Sequence, residues 1–317
     1  MRASSQTQLC VQLLACAAAA VALSLAAGYI PVLGAPVSLL APTPILLVAL
    51  RNGLQAGLLT LGLSTFTLWG LFGLYQGLLF LSEYGVMAMV MARALQQRYS
   101  MEKTLFAASL LPLLVTGSVM AGFLWSTPLD FGAVRRHLET QLAEAMHAYL
   151  KGDDLAALPQ LPLYLQDALD LVLRVLPALL VISAAGGAWL NYAVERALWR
   201  RLGGIPPLPA TSISRWQAPD ACVWILIGGG ILLFLPPPLL RGVGLNVLLL
   251  VAPLYLLQGI GIVVFYLNRG PAPILIRWLA YFFLVLQPLL LLGVAGFGLF
   301  DLWFDFRRLH RHKEEPR

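Results

Sequence analysis

The sequence predicts an all-α, polytopic membrane helical bundle of about eight or nine hydrophobic segments, and three observations carry that reading. The 317 residues are 59% hydrophobic and only 11% charged, with a mean hydropathy of +0.80, whereas soluble domains carry roughly 25% charge. Long stretches hold no charged side chain at all, namely 3–50, 52–82, 104–129, 175–194, 221–240, 242–268 and 278–300. About 20 apolar residues suffice to cross a bilayer, so most of these stretches hold one span and the first two hold more. Prolines and glycines also fall inside the stretches, not only between them, a pattern tolerated in hydrocarbon only where protein or a polar cavity re-satisfies the backbone.

Nine segments follow in order, at approximately 9–29, 36–50, 53–71, 73–93, 104–125, 169–198, 220–239, 245–267 and 274–300. The first is Ala-rich and holds Cys10 and Cys16. Leu13-Leu14-Ala15-Cys16 resembles a lipoprotein cleavage box, but Arg2 alone precedes it and the apolar run continues past Cys16. The segment therefore reads as a retained span. With Cys222 the three cysteines form no disulfide framework and no metal spacing.

Between the first segment and the third the chain is unusually broken. Pro31, Pro36, Pro42 and Pro44 fall close together, with Gly28 and Gly34 among them, and each proline removes a backbone donor and clashes with the preceding turn. The second segment, at about 1.5 Å per residue, is only ~22 Å long, short of a full hydrocarbon core. Interrupted helices of this kind form binding sites in many transporters. Arg51-Asn52-Gly53 then makes a tight turn into the third segment.

Arg93, Arg98 and Lys103 flank one loop, and Arg196, Arg200, Arg201 and Arg215 flank another. Placing both loops in the cytoplasm by the positive-inside rule puts the N-terminus inside and the loop 127–167 outside. That loop reads as an external insertion with an amphipathic helix: Asp130 as N-cap, then Val134, Leu138, Leu142, Met146 and Tyr149 at helical spacing. His137, Glu144 and His147 share one face of it, and a solvated polar face accounts for them better than a metal site. The Pro- and Gly-rich stretch 202–219 reads as a cytoplasmic linker. The chain thus divides into residues 1–201, the linker, three C-terminal segments over 220–306 and a basic tail over 307–317. With nine spans the basic tail would emerge outside, against the same rule, so one of the last three segments is expected not to cross fully, or the tail departs from the rule.

Function classes narrow by exclusion. The net charge of +6 sits at segment ends, and no basic and aromatic interleaving points to nucleic acid. All basic residues but Lys103, Lys151 and Lys313 are arginine, and none of the three lysines follows a glycine, so there is no phosphate-binding loop of the G-x-x-x-x-G-K type. No Gly-x-Ser-x-Gly elbow, HExxH or paired intramembrane aspartates occur. The chain reads as a non-enzyme with no cofactor and no metal.

Four residues stand out as ligand-binding candidates: Glu83, the only charged side chain between Asn52 and Ala92, together with Asn191, Ser38 and Tyr29. A carboxylate at the centre of a span costs ~2.5–3.5 kcal/mol and is expected to face protein or water. Glu195, beside Arg196, reads as the neutralising partner of a neighbouring arginine. Asp170 and Arg174, one helical turn apart, read as a structural ion pair. Small residues at helical spacing, Ala15 and Ala19 on the first segment and Gly53 and Gly57 on the third, are candidates for close helix packing or for docking a partner membrane protein.

Residues 20–62 carry a resemblance. The Ala-rich helix, Tyr29-Ile30-Pro31, Val37-Ser38-Leu39, Pro44, Ala49-Leu50-Arg51-Asn52-Gly53 and Gly57 are similar to the substrate-capturing S components of energy-coupling-factor vitamin transporters. Asn246, Tyr255-Leu256-Leu257-Gln258-Gly259 and Gly298-Leu299-Phe300-Asp301 through Phe306-Arg307 resemble the YybS-like family of bacterial membrane proteins. The resemblance implies a six-helix S-component-like N-terminal unit in a bacterial inner membrane, binding a small-molecule ligand, lacking its own ATPase and associating with a partner membrane protein. The three further segments and the forty-residue insertion depart from S components. A non-transporting scaffold that docks partners through its small-residue faces is the alternative.

Overall fold

A computed structural model describes residues 2–30, 33–126, 161–201, 213–269 and 273–307, with positions 132, 135, 136, 139 and 140 between them. Every regular element among these residues is a helix. Seven helices are long and apolar enough to cross a membrane, and a bent pair raises the number to eight if it counts as one span. The chain is a polytopic helical membrane protein. It divides into two compact units, one formed by Met1–Leu169 with Ser183–Pro209, the other by Asp170–Ile182 with Ala210–Arg317.

The first unit begins with α1 (Arg2–Tyr29) and the broken segment, α2 (Gly34–Ser38) and α3 (Pro42–Asn52). The break has a backbone cause. Pro42 has no N–H to donate, and Thr43 N turns back to Leu40 O at 3.0 Å, leaving Leu39 O unclaimed by the helix ladder. Gly34 is indispensable for the approach of α2 to α1, because a Cβ there would run into Ala26 O. Gly53 (φ 95) joins α3 to α4 (Leu54–Phe72), and Gly73 (φ 92) joins α4 to α5 (Leu74–Phe80), each a one-residue connection in a left-handed conformation that glycine takes without strain.

The fourth span runs from Leu74 to Gln96 and is not a regular helix. Between α5 and α6 (Val86–Gln96) lies a single π turn, Leu81–Gly85, which shifts the helical register of the side chains. After α7 (Met101–Ser126) the chain returns as α8 (Leu161–Arg201), whose residues 161–169 and 183–201 belong to this unit. The unit closes on one core, with Ala20, Ile45, Leu46, Leu68, Phe80, Met91 and Leu95 packed together. Of the insertion over 127–167 only the isolated positions are described, and there Arg135 Nε meets Glu139 Oε1 at 2.9 Å. The expected N-cap at Asp130 and the face of His137, Glu144 and His147 lie outside the described residues.

The second unit takes residues 170–182 of α8, a short 3-10 turn (Ile213–Arg215), α9 (Ala221–Phe234), α10 (Pro238–Arg269), α11 (Ile274–Leu286) and α12 (Pro288–Phe304). Two expected spans prove irregular. Residues 220–239 yield a 14-residue helix, stopped by Pro236, Pro237 and Pro238. Residues 274–300 yield two helices meeting at 99°, because Pro288 forces Gln287 into an extended conformation (φ −111, ψ 97). Helices α10 and α12 cross at very close range. A Cβ on Gly259 would strike Val294 O, and one on Gly298 would strike Tyr255 O.

Candidate functional site

Among the described residues, polar side chains within the spans gather in both units, and an asparagine bridge in the first is repeated in the second. The broken segment is held by Asn191 of α8. Its Nδ2 donates to Leu39 O at 2.7 Å and to Gly187 O, one turn back on its own helix, at 2.8 Å. Its Oδ1 accepts from Thr43 Oγ1 at 2.7 Å. Asn191 is fully buried, so both amide protons and the amide oxygen are spent on the protein. The orphan carbonyl left by Pro42 finds its partner here, as a backbone group in hydrocarbon must.

A second asparagine does the same in the second unit. Pro177 interrupts α8, and Asn246 of α10 bridges Arg174 O and Ala178 N, the two groups a regular helix joins directly. Nδ2 donates to Arg174 O at 2.8 Å, and Oδ1 accepts from Ala178 N at 2.9 Å. Nδ2 also donates to Gly242 O, one turn back, at 2.8 Å. The two bridges agree position by position. Each asparagine closes a Gly-x-x-Leu-Asn stretch, Gly187–Asn191 and Gly242–Asn246, each takes the carbonyl three residues before a proline, and each accepts from the residue after that proline.

Glu83 is the tenth residue of the 23-residue span Leu74–Gln96 and sits in the π turn. Its side chain is exposed on the first unit, not enclosed in its core. The flanking residues point away to either side. Ser82, buried, accepts from Thr116 Oγ1 at 3.1 Å. The Tyr84 hydroxyl lies beside that of Ser38, which itself donates to Ala35 O at 2.9 Å. Glu83 thus lies on the surface of the unit, between the buried Ser82 and the half-buried Tyr84 of the same π turn. Tyr29 is exposed at the end of α1.

At the other end of α8, Glu195 is fully buried. Its Oε1 accepts from Trp199 Nε1 at 3.0 Å, and Arg51 stacks over the Trp199 ring at 5.9 Å. The nearby Gln96 Nε2 donates to Ala49 O at 3.2 Å. Asp170 and Arg174 both lie on the exposed face of α8. Ala15 and Ala19 are exposed on α1, with Ala18 and Ala22 beside them. Gly57 instead is packed inside, where an added Cβ would lie 2.6 Å from Ala49 Cβ, and Gly53 makes the turn already described.

A further polar cluster, in the second unit, was not singled out by charge pattern. Arg307 and Asp301 form a fully buried ion pair, with Nη2 at 2.6 Å and Nε at 3.1 Å from Oδ2. Arg307 Nη1 donates to Ser214 O and Trp216 O at 3.0 and 2.9 Å. Gln258 Nε2 donates to Asp301 Oδ2 at 3.2 Å and Gln258 Oε1 accepts from Ala218 N at 2.9 Å. Residues 213–218, inside the stretch expected to be a linker, are therefore fastened to α10 and to the end of α12. Gln258, Asp301 and Arg307 were all among the positions of the YybS-like resemblance, and Arg307 was also read as the first residue of the basic tail. Among the described residues no group of three or more His, Cys, Asp or Glu is placed to hold a metal ion.

No curated protein and no solved structure matches the chain. A family profile described as a predicted membrane protein, DUF2232, matches residues 18–302, a range that holds both asparagine bridges, Glu83, Gln258 and Asp301. The chain belongs to the DUF2232 family of predicted membrane proteins.

Proposed function

We propose that the first unit is a membrane-embedded capture unit of the S-component type, which binds a small molecule through a cationic or hydrogen-bond-donating group set against Glu83. One observation carries this reading: the carboxylate stands at mid-span, on a π turn, and exposed on the unit's surface. Facing hydrocarbon alone it would cost ~2.5–3.5 kcal/mol, and a bound donor offsets that cost. Single π turns inside helices are frequent at functional sites. Tyr84, the next residue on the π turn, offers a hydroxyl as a further polar contact for a ligand. Asn191 has no free donor or acceptor for a ligand, so its part is to set the shape of the broken segment. The resemblance of residues 20–62 to S components supports the same reading, with transport energy supplied by a partner.

The test is retention of a ligand by the purified full chain in lipid nanodiscs, read by mass spectrometry of the extracted small molecules. Wild type is expected to carry a donor-bearing compound, and Glu83→Gln to lose it at least 10-fold with an unchanged melting temperature. Equal retention by Glu83→Gln, or a wild type carrying no such compound, overturns the reading. A second reading, the non-transporting scaffold, is favoured by the exposed Ala15, Ala18, Ala19 and Ala22 on α1, which leave a smooth helix face for a partner's close approach.

A further inference from the structure

The bent pair α11–α12 is either a broken span, which leaves on the far side of the membrane, or a re-entrant loop, which returns to the side it entered from. Its two ends decide between them. The pair starts near the end of α10. From Arg269 to Pro273 the chain takes four steps, which reach at most ~14 Å, less than half of a hydrocarbon core ~30 Å thick. It also finishes near the end of α10. Asp305 (φ 41) stops α12, and Phe306 O beyond it accepts from Tyr266 Oη at 2.9 Å. Tyr266 stands three residues, ~4.5 Å along the helix, before Arg269. Entry and exit therefore lie at one end of α10.

Between those ends the pair goes deep. Val294 and Gly298 of α12 meet Gly259 and Tyr255 of α10, so closely that a Cβ on either glycine would strike a carbonyl of the other helix. Gly259 is ten residues, ~15 Å along α10, from Arg269, inside the uncharged stretch 242–268. Helix α11, with 13 residues, is ~20 Å long, and α12, with 17, is ~26 Å long. Each is shorter than the hydrocarbon core, and a turn of 99° between them suits a path that dips in and comes back.

Residues 213–216 join the same end. Ile213 O lies against Gly261, and Arg307 Nη1 donates to Ser214 O and Trp216 O. Helices α9 and α10 run out and back, packed closely at Gly229 and Gly244, which returns Arg269 to the side from which α9 set out.

We propose that α11–α12 is a re-entrant loop, so that residues 213–216, Arg269 and the chain after Arg307 share one face of the membrane, with Arg241 on the other. The charge pattern supports this independently of the contacts. Arg196, Arg200, Arg201 and Arg215 precede α9, Arg269 ends α10, and the sequence after Arg307 reads RLHRHKEEPR. A re-entrant loop gathers all of these on one side, as the positive-inside rule requires. A broken span sends the basic tail to the opposite side. Of the three C-terminal hydrophobic segments, the last is then the one that does not cross.

The test is labelling with a membrane-impermeant maleimide in sealed right-side-out and inverted vesicles of a bacterial host. It uses the full chain with Cys10→Ser and Cys16→Ser, since Cys222 is buried. Single cysteines replace exposed residues, as Arg215→Cys, Arg241→Cys and Arg269→Cys, and a further one is added after Arg317. Arg215→Cys, Arg269→Cys and the terminal cysteine are expected to label from one side, at least 10-fold faster than from the other, and Arg241→Cys from the opposite side. Opposite sides for Arg269→Cys and the terminal cysteine make the pair a broken span and overturn the proposal. So does labelling of Arg215→Cys or Arg269→Cys from the side of Arg241→Cys. Should Arg269→Cys fail to fold, Asn268→Cys, at a position also exposed, takes its place.

Discussion

The two units meet the same difficulty, a proline inside an apolar helix, with the same side chain in different surroundings. In the first, Asn191 is sealed in the core and mends a true break, where α2 and α3 are separate helices. In the second, Asn246 is half-buried and mends a helix that runs straight through Pro177. An amide is suited to both tasks because it offers two donors and an acceptor at one point. What differs is how fully the surrounding protein encloses the repair, completely at Asn191 and in part at Asn246. The second unit relies less on its asparagine and more on a buried ion pair that ties the end of α12 to α10 and to residues 213–218.

The largest expected effect breaks that second device. Asp301→Leu strands the Arg307 guanidinium without its counter-charge in a fully buried site, and losing one partner of such a pair costs about 3–5 kcal/mol. The second unit should become protease-sensitive at temperatures where the first stays intact, and Asp301→Leu combined with Arg307→Met should recover much of the loss. Equal damage to both units would show that the ion pair is not local to the second.

The asparagines come next and test the comparison directly. Asn191→Ala leaves Leu39 O and the Thr43 hydroxyl without the partner they have in the core, for about 2 kcal/mol. Asn246→Ala, at a half-buried site, should cost about 1 kcal/mol. Melting temperatures of the two variants in one detergent give the order, and a larger loss at Asn246 reverses it. The smallest expected change is at Ala19, exposed on α1. Ala19→Leu should alter stability by no more than ~0.5 kcal/mol, yet abolish crosslinking to any partner that uses this face. Crosslinking that persists removes the support for a scaffold.

Hydropathy revealed the spans because bilayer thickness sets a length that a run of apolar residues either meets or fails. It also exposed the short second segment and the Arg51-Asn52-Gly53 turn. The π turn at Leu81–Gly85 was invisible, since inserting one residue into a helical turn leaves no compositional mark. The bend at Gln287 lay hidden in an apolar run, with Pro288 as its only sign. Helix α8 begins at Leu161, earlier than hydropathy suggested, because its first turns carry Gln166, Asp167 and Asp170 and read as loop. The outward placement of Glu83 could not be read either. Span membership follows from composition, but the face a residue occupies depends on register, which the π turn resets. The asparagine bridges were legible only as repeated Gly-x-x-Leu-Asn stretches, and their meaning required knowing which proline each one faces.

The single-glycine joints at Gly53 and Gly73 bear on how this protein can be studied and made. From Pro42 to Gln96 three consecutive spans follow with no loop between them. A reporter fusion, epitope tag or protease site placed there would cut into a helix, so sidedness mapping must use the stretch from Gln97 to Ser100. The three spans enter the bilayer as one glycine-jointed block, in which Arg51, at the first joint, and Arg93, near the end, are the only basic residues.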